Sequence, residues 1–131
     1  MIIGIGHDLC FLDRIHRIMN SSFSTRFMQR VLTVDECVSL EKLSKERQVE
    51  WVGGRFAAKE AVSKAFGVGI GNKLSFQDIT ITKNDLGKPI CHISDYALTE
   101  LGYTREAIRI HLSISHEKMM ASAFVVIEQA S

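Results

Sequence analysis

The sequence predicts an α+β fold in which an antiparallel sheet packs against one long helix. Three observations lead there. The chain has 131 residues, 46% hydrophobic and 24% charged, which suits one globular domain over 1–131 with a sizeable core. Residues 46–66 form the longest helix-like stretch, with Phe56, Val62 and Phe66 set among Arg55, Lys59, Glu60 and Lys64. After about residue 78 the hydrophobic period changes from helical to alternating, so helices fall early and strands late.

The elements follow in order. Residues 2–12 alternate and are rich in isoleucine, which reads as a strand entering a turn near Gly6 to Asp8. A helix is expected from Asp13 to Met19 with Asp13 as its N-cap. Ser24 to Val31 has helical preferences. Thr33 and Glu36 have capping-box spacing, so another helix starts there and reaches about Leu43. Within the long helix, Gly53 and Gly54 mark either close packing or a break between two helices. Ile79 to Thr82 alternates, Asn84 to Gly87 supplies turn chemistry, and Pro89 to Ile93 completes a hairpin. Asp95 to Leu101 is a short helix stopped by Gly102. Arg109 to Ser115 and Ala121 to Glu128 are the last strands, joined through His116 to Met120.

Charge and cysteine usage narrow the function classes. A net charge of +1 gives no global basic field, which argues against a nucleic-acid partner. Charge is nevertheless uneven: Arg14, Arg17, Arg26 and Arg30 follow Asp13 with no intervening acid. That pattern is either a solvated face or a patch for an acidic partner. Cys10, Cys37 and Cys91 lie far apart without metal-ligand spacing, which fits neither a disulfide framework nor a zinc site. The opening apolar run lacks a basic lead-in and meets Asp8 early. A cytoplasmic protein without a membrane partner is the expectation.

Candidate chemistry centres on four places. Glu60 and Lys64 are four residues apart on one helix face. The plainer reading is a surface ion pair worth ~0.3 kcal/mol. The apolar neighbours Phe56, Ala57, Ala61 and Phe66 favour instead a carboxylate that needs a partner such as a metal ion. Asp8 is either a turn residue or a ligand projecting into a cleft. Together with Glu60 it offers two hard oxygen ligands from different elements, the usual way Mg²⁺ is held beside a substrate phosphate. Gly67, Gly69 and Gly71 lack the context of a P-loop or dinucleotide fingerprint. They read as a helix cap and loop that leaves backbone N–H groups exposed and room for a ligand. His116, at a strand end, is either a ligand-binding group or a satisfied loop residue.

These pieces occur in a familiar order. IGHDL near the start, RFAAKEAVSKAFGVGIG in the middle and LSISHEKMMASAFVV near the end resemble the holo-acyl-carrier-protein synthases, over essentially the whole chain. The resemblance implies a 4′-phosphopantetheinyl transferase fold and a Mg²⁺-dependent reaction of fatty acid biosynthesis. Phosphopantetheine moves from coenzyme A to a serine of apo acyl carrier protein, releasing adenosine 3′,5′-bisphosphate. By position, Asp8 and Glu60 resemble the family's magnesium ligands and Lys64 its catalytic lysine. Lys64, Gly67 and His116 resemble residues that contact coenzyme A, and Gly87, Lys88 and Pro89 the turn near its adenine. Arg14, Arg17 and Arg26 fall in what resembles the docking helix for the acidic carrier, and the family implies a homotrimer with sites between subunits. His7, Val34 and Glu117 depart from the family pattern, and bear on metal geometry and coenzyme A affinity. The rival expectation is a non-catalytic domain that binds coenzyme A or another nucleotide and recognises a partner.

Overall fold

Two glycines decide how the first strand meets the long helix. The computed structural model describes residues 1–131. Strand β1, Ile2–Phe11, runs unbroken through Gly6–Asp8, so the expected turn there is absent. Asp8 lies within the strand, opposite Ala123. The glycines answer to a distant contact instead. A Cβ on Gly6 would overlap the carbonyl of Ala61, and one on Gly4 that of Ala65. Both partners belong to α4, Lys45–Phe66, so strand backbone lies directly on helix backbone.

Helix α4 is central. It buries Val52, Gly53, Gly54, Ala57, Ala58, Ala61, Val62 and Ala65, small residues that let neighbours approach from several sides. It is continuous across Gly53 and Gly54, which mark close packing. A Cβ on Gly53 would collide with the Leu12 side chain, and one on Gly54 would stand 3.2 Å from Ile114 Cγ2. The helix stops at Gly67 in the left-handed conformation, φ 77°.

Helix α1, Leu12–Met19, follows β1 directly. Its N-cap is Phe11, not Asp13 as expected. Asp13 sits in the first turn, where its charge still meets the positive helix end. Helix α2 is Ser24–Val31. Helix α3, Val34–Glu41, opens on the expected capping box between Thr33 and Glu36.

The antiparallel strands form two sheets, and the first strand joins the last. β4, Ile108–His116, and β5, Met120–Gln129, make a three-stranded sheet in the order β1-β5-β4. β2, Ile79–Lys83, and β3, Pro89–Ile93, form a separate hairpin. Its turn is set by the Asn84 carboxamide oxygen, which accepts from the N–H groups of Leu86 and Lys88, and by Gly87 at φ 84°. Helix α5, Asp95–Leu101, is capped by Ser94 and ended by Gly102, φ 86°. Ala121, Ala123, Val125 and Ile127 turn inward and are buried. Ile5, Leu9, Phe11 and Phe124 remain exposed on the opposite face. No helix is long and apolar enough to cross a membrane.

A buried ion pair ties α4 to the rest. Lys59 Nζ lies 2.5 Å from Glu36 Oε1 and also donates to the carbonyls of Val31 and Phe76, at 2.7 and 3.1 Å. Glu36 accepts from the Thr33 and Ile81 N–H groups at 2.9 and 2.8 Å. Each charge is paired and hydrogen-bonded, as its complete burial requires.

The strand-on-helix contact makes a direct prediction. Gly6→Ala places a methyl group against backbone, which cannot rotate away. Overpacking of this kind costs about 1–3 kcal/mol, and the loss is expected at the upper end. Urea unfolding measures it; an unchanged midpoint would show that β1 and α4 are not held this closely.

Candidate active site

The β1–α4 contact carries Asp8 to the last turns of the helix. Lys64 Nζ donates to Asp8 Oδ1 at 2.9 Å and to the His7 carbonyl at 3.1 Å. The lysine side chain is 52% exposed and the aspartate 17%. The i,i+4 partner expected for Lys64 was Glu60; the lysine bridges to the strand instead. Glu60, one turn earlier, is half-buried. Burial pushes its carboxyl pKa above the usual range, and the nearby Asp8 charge pushes the same way. Lys64, Arg30 and Arg14 pull it back only in part.

Both carboxylates are partly buried, and the Asp8 charge acts on Glu60. That arrangement is relieved by a divalent cation. The donor set fits magnesium: two oxygen ligands, with the remaining positions left to water and phosphate. No cluster of three or more His, Cys, Asp or Glu side chains could hold a metal by itself. Thiol chemistry has no place here, because burial raises Cys10 to about 11 and Cys91 to about 12.

The basic stretch adjoins this site. Arg14 and Arg17 are exposed on α1, Arg26 and Arg30 on α2. The Arg30 guanidinium lies 5.8 Å above the Phe76 ring. Phe27, Phe56 and Phe76 stack in succession at 6.0 and 5.6 Å, joining α2 to α4. Phe23 stands exposed beside the arginines.

His116 lies elsewhere in the same chain. Its Nδ1 is 3.7 Å from Glu50 Oε2, ten residues and about 15 Å of helix rise from Glu60. It lines a cleft of about 550 Å³ with Lys42, Arg47, Arg55 and Lys83. Arg55 is only 6% exposed, its guanidinium rests 4.2 Å over the Trp51 ring, and its Nε has no hydrogen-bond partner. Burial lowers its pKa to about 10. A buried cation with an unused donor is a place for an anion. Sequence reasoning gave Arg55 no role. The available signal was an arginine inside an apolar helical run. Pro89 pairs with the cleft residue Lys83, while Gly87 and Lys88 lie in the hairpin turn; none of the three lines the cleft.

Gly67 caps α4 three residues after Lys64, with open space where a Cβ would stand. The expected supply of exposed N–H groups in this loop needs correction. Those of Gly67, Val68 and Gly69 bond the carbonyls of Lys64 and Ser63, and that of Gly71 bonds Leu74. Room for a ligand remains, but these donors already close the helix end. His7 projects to the other sheet face, where Nε2 is 3.3 Å from Ser122 Oγ, and only its carbonyl meets Lys64. Val34 and Glu117 are exposed.

Asp8 and Lys64 thus meet near Glu60 toward one end of α4, and toward the other lies a cleft of mixed charge, where Asp35, Glu36 and Glu50 stand among Lys42, Arg47, Arg55 and Lys83. The family model of the 4′-phosphopantetheinyl transferase superfamily matches residues 4–126, and the chain belongs to that superfamily. It is 45% identical to the holo-[acyl-carrier-protein] synthase of Bacillus velezensis, covering 100% of this chain and 99% of that one. The Bacillus anthracis holo-(acyl-carrier-protein) synthase, solved in complex with CoA (3′,5′-ADP), superposes with a TM-score of 0.83. It is 43% identical and covers 100% of this chain and 99% of that one. The Neisseria meningitidis enzyme gives a TM-score of 0.85 at 39% identity, over 98% and 99% of the two chains.

The raised pKa of Glu60 has a thermodynamic consequence. In the window between the ordinary glutamate value and the raised one, the folded protein binds more protons than the unfolded chain. Stability therefore falls as pH rises through that window, and the penalty is full above it. With metal removed by EDTA, Glu60→Gln is expected to melt higher than wild type at pH 7, the gap closing below about pH 4. Equal melting temperatures at pH 7 would remove the strained carboxylate.

Proposed function

We propose that the chain transfers 4′-phosphopantetheine from coenzyme A to a serine hydroxyl of an apo acyl carrier protein. The co-product is adenosine 3′,5′-bisphosphate, the reaction is Mg²⁺-dependent, and it serves fatty acid biosynthesis. The observation that carries this reading is the ion pair of Asp8 on β1 with Lys64 on α4, one helical turn from the half-buried Glu60.

The serine oxygen must attack a phosphorus surrounded by negative charge. Asp8 and Glu60 would hold Mg²⁺, which when bound supplies charge neutralisation at the diphosphate. One of the two carboxylates would accept the serine proton as its oxygen attacks. As the new phosphorus–oxygen bond forms, the bond to the nucleotide's 5′-phosphate breaks. Lys64 leaves Asp8 to stabilise or protonate that departing oxygen. Gly67 leaves space for the phosphates beside Lys64. Arg14, Arg17 and Arg26 steer the acidic carrier to the same side.

The nucleotide end of coenzyme A suits the cleft of Arg55, His116 and Lys83, with Gly87, Lys88 and Pro89 beyond it along the hairpin. Within one chain that cleft and the carboxylate pair sit toward opposite ends of α4. A homotrimer resolves this, with one copy's carboxylates facing a neighbour's cleft. The exposed face of Ile5, Leu9, Phe11 and Phe124 supports burial between copies.

Mass spectrometry of apo carrier protein incubated with the chain, coenzyme A and Mg²⁺ is expected to register the added phosphopantetheine mass. EDTA abolishes it. Asp8→Asn, Glu60→Gln and Lys64→Ala each lower the rate about a hundredfold or more. A carrier of unchanged mass with the wild-type chain ends the proposal. Leu9→Asp is expected to sediment as a monomer and lose transfer; an active monomer would refute the shared site.

A further inference from the structure

Helix α2 is an unlikely element to stand alone. It has eight residues, no side-chain N-cap, and Val31 as its one buried residue. A helix this short is marginal in water, and its last four carbonyls need partners. All four have one. Met28 O accepts from the Leu32 N–H at 2.8 Å, inside the chain's own cap. The other three are met from outside the helix. Val31 O accepts from Lys59 Nζ at 2.7 Å. Gln29 O and Arg30 O accept from Gln77 Nε2 at 2.7 and 3.4 Å, and the same amide reaches Leu32 O at 2.7 Å.

Gln77 belongs to the short 3-10 turn Phe76–Asp78, which also holds Arg30 through the ring of Phe76. That turn is itself fixed. Asp78 accepts from the Ser75 N–H and hydroxyl at 2.9 Å each and from the Ser94 hydroxyl at 2.7 Å. A rigid turn thus grips the C-terminal end of α2, both its backbone and its last arginine. The gripped helix presents Arg26 and Arg30, and its Phe27 stacks on Phe56 of α4, one turn before Glu60. Gln77 itself makes no hydrogen bond to Asp8, Glu60 or Lys64.

We infer that Gln77 is a positioning residue for the acidic carrier, because its carboxamide clamps the end of α2 and so fixes the direction of Arg26 and Arg30. The inference rests on the transferase reading. Gln77 is exposed, so its loss leaves the core intact. Replacement by glutamate keeps the shape but sets a carboxylate against three carbonyl oxygens without a donor.

The test uses the full chain with Gln77→Ala and Gln77→Glu. In the free protein, hydrogen exchange over residues 24–32 is expected to quicken about tenfold, while α4 stays protected. The KM for apo carrier rises about tenfold, with the glutamate variant worse than the alanine. The KM for coenzyme A and kcat at saturating carrier stay within about twofold. Unchanged exchange over 24–32 overturns the clamp, even where the carrier KM rises, since Gln77 would then touch the carrier directly. A fall in kcat with unchanged carrier KM overturns it as well. A wild-type chain that transfers nothing ends the transferase reading and the docking half of this inference, and the exchange measurement still decides whether Gln77 holds α2.

Discussion

The site depends on backbone touching backbone. Gly4 and Gly6 of β1 rest on the carbonyls of Ala65 and Ala61 of α4, a separation that no Cβ would permit. The pairing has a period. Two strand residues advance about 6.6 Å and four helix residues about 6 Å, so strand and helix stay in step while running in opposite senses. Asp8 continues the series on the same strand face toward the level of Ala57, and the Lys64 side chain reaches back along the helix to meet it. The carboxylate's reach is therefore set by glycine and alanine, residues with no chemistry of their own.

The rotation of α4 about its axis needs a second restraint, and Lys59 supplies it. Neighbours in sequence, Lys59 and Glu60 have opposite fates. Lys59 is fully buried, bonded to Glu36 and to carbonyls from two other segments. Glu60, about 100° further round, is left at the edge of solvent without an ion pair. A buried pair of this kind adds little net stability relative to apolar packing, yet it accepts only one arrangement of α3, α4 and β2. Fixing Lys59 inward fixes Glu60 outward.

What was legible in the sequence follows from how local each signal is. The capping box at Thr33 and Glu36, the turn at Asn84 and the caps at Gly67 and Gly102 involve partners a few residues apart, and each formed as read. Gly6 was misread as a turn because its reason lies 55 residues away, at Ala61. Lys64 was offered Glu60 by helix spacing and took Asp8, which only the folded chain brings near. The loop after α4 looked rich in free donors, but whether an N–H is free depends on the path of the chain, and Ser63 and Leu74 claim them. Motif order named Asp8, Glu60 and Lys64 as candidates, and the fold brings Asp8 and Lys64 into contact. Arg55 was passed over because an arginine in an apolar helical run signals burial but not the unmet hydrogen bond.

The two places where this chain breaks the rules of satisfied burial have opposite sign. At one end of α4, the Asp8 charge acts on the half-buried Glu60 and the glutamate's pKa rises. At the other, a guanidinium is buried with a donor unused. Folded proteins tolerate such violations chiefly where a ligand resolves them. One asks for a cation, the other for an anion. A magnesium-bound diphosphate at the first and a nucleotide phosphate at the second would answer both, and coenzyme A carries both groups in one molecule. The long helix thus holds both requirements on one rigid element, a fixed distance apart.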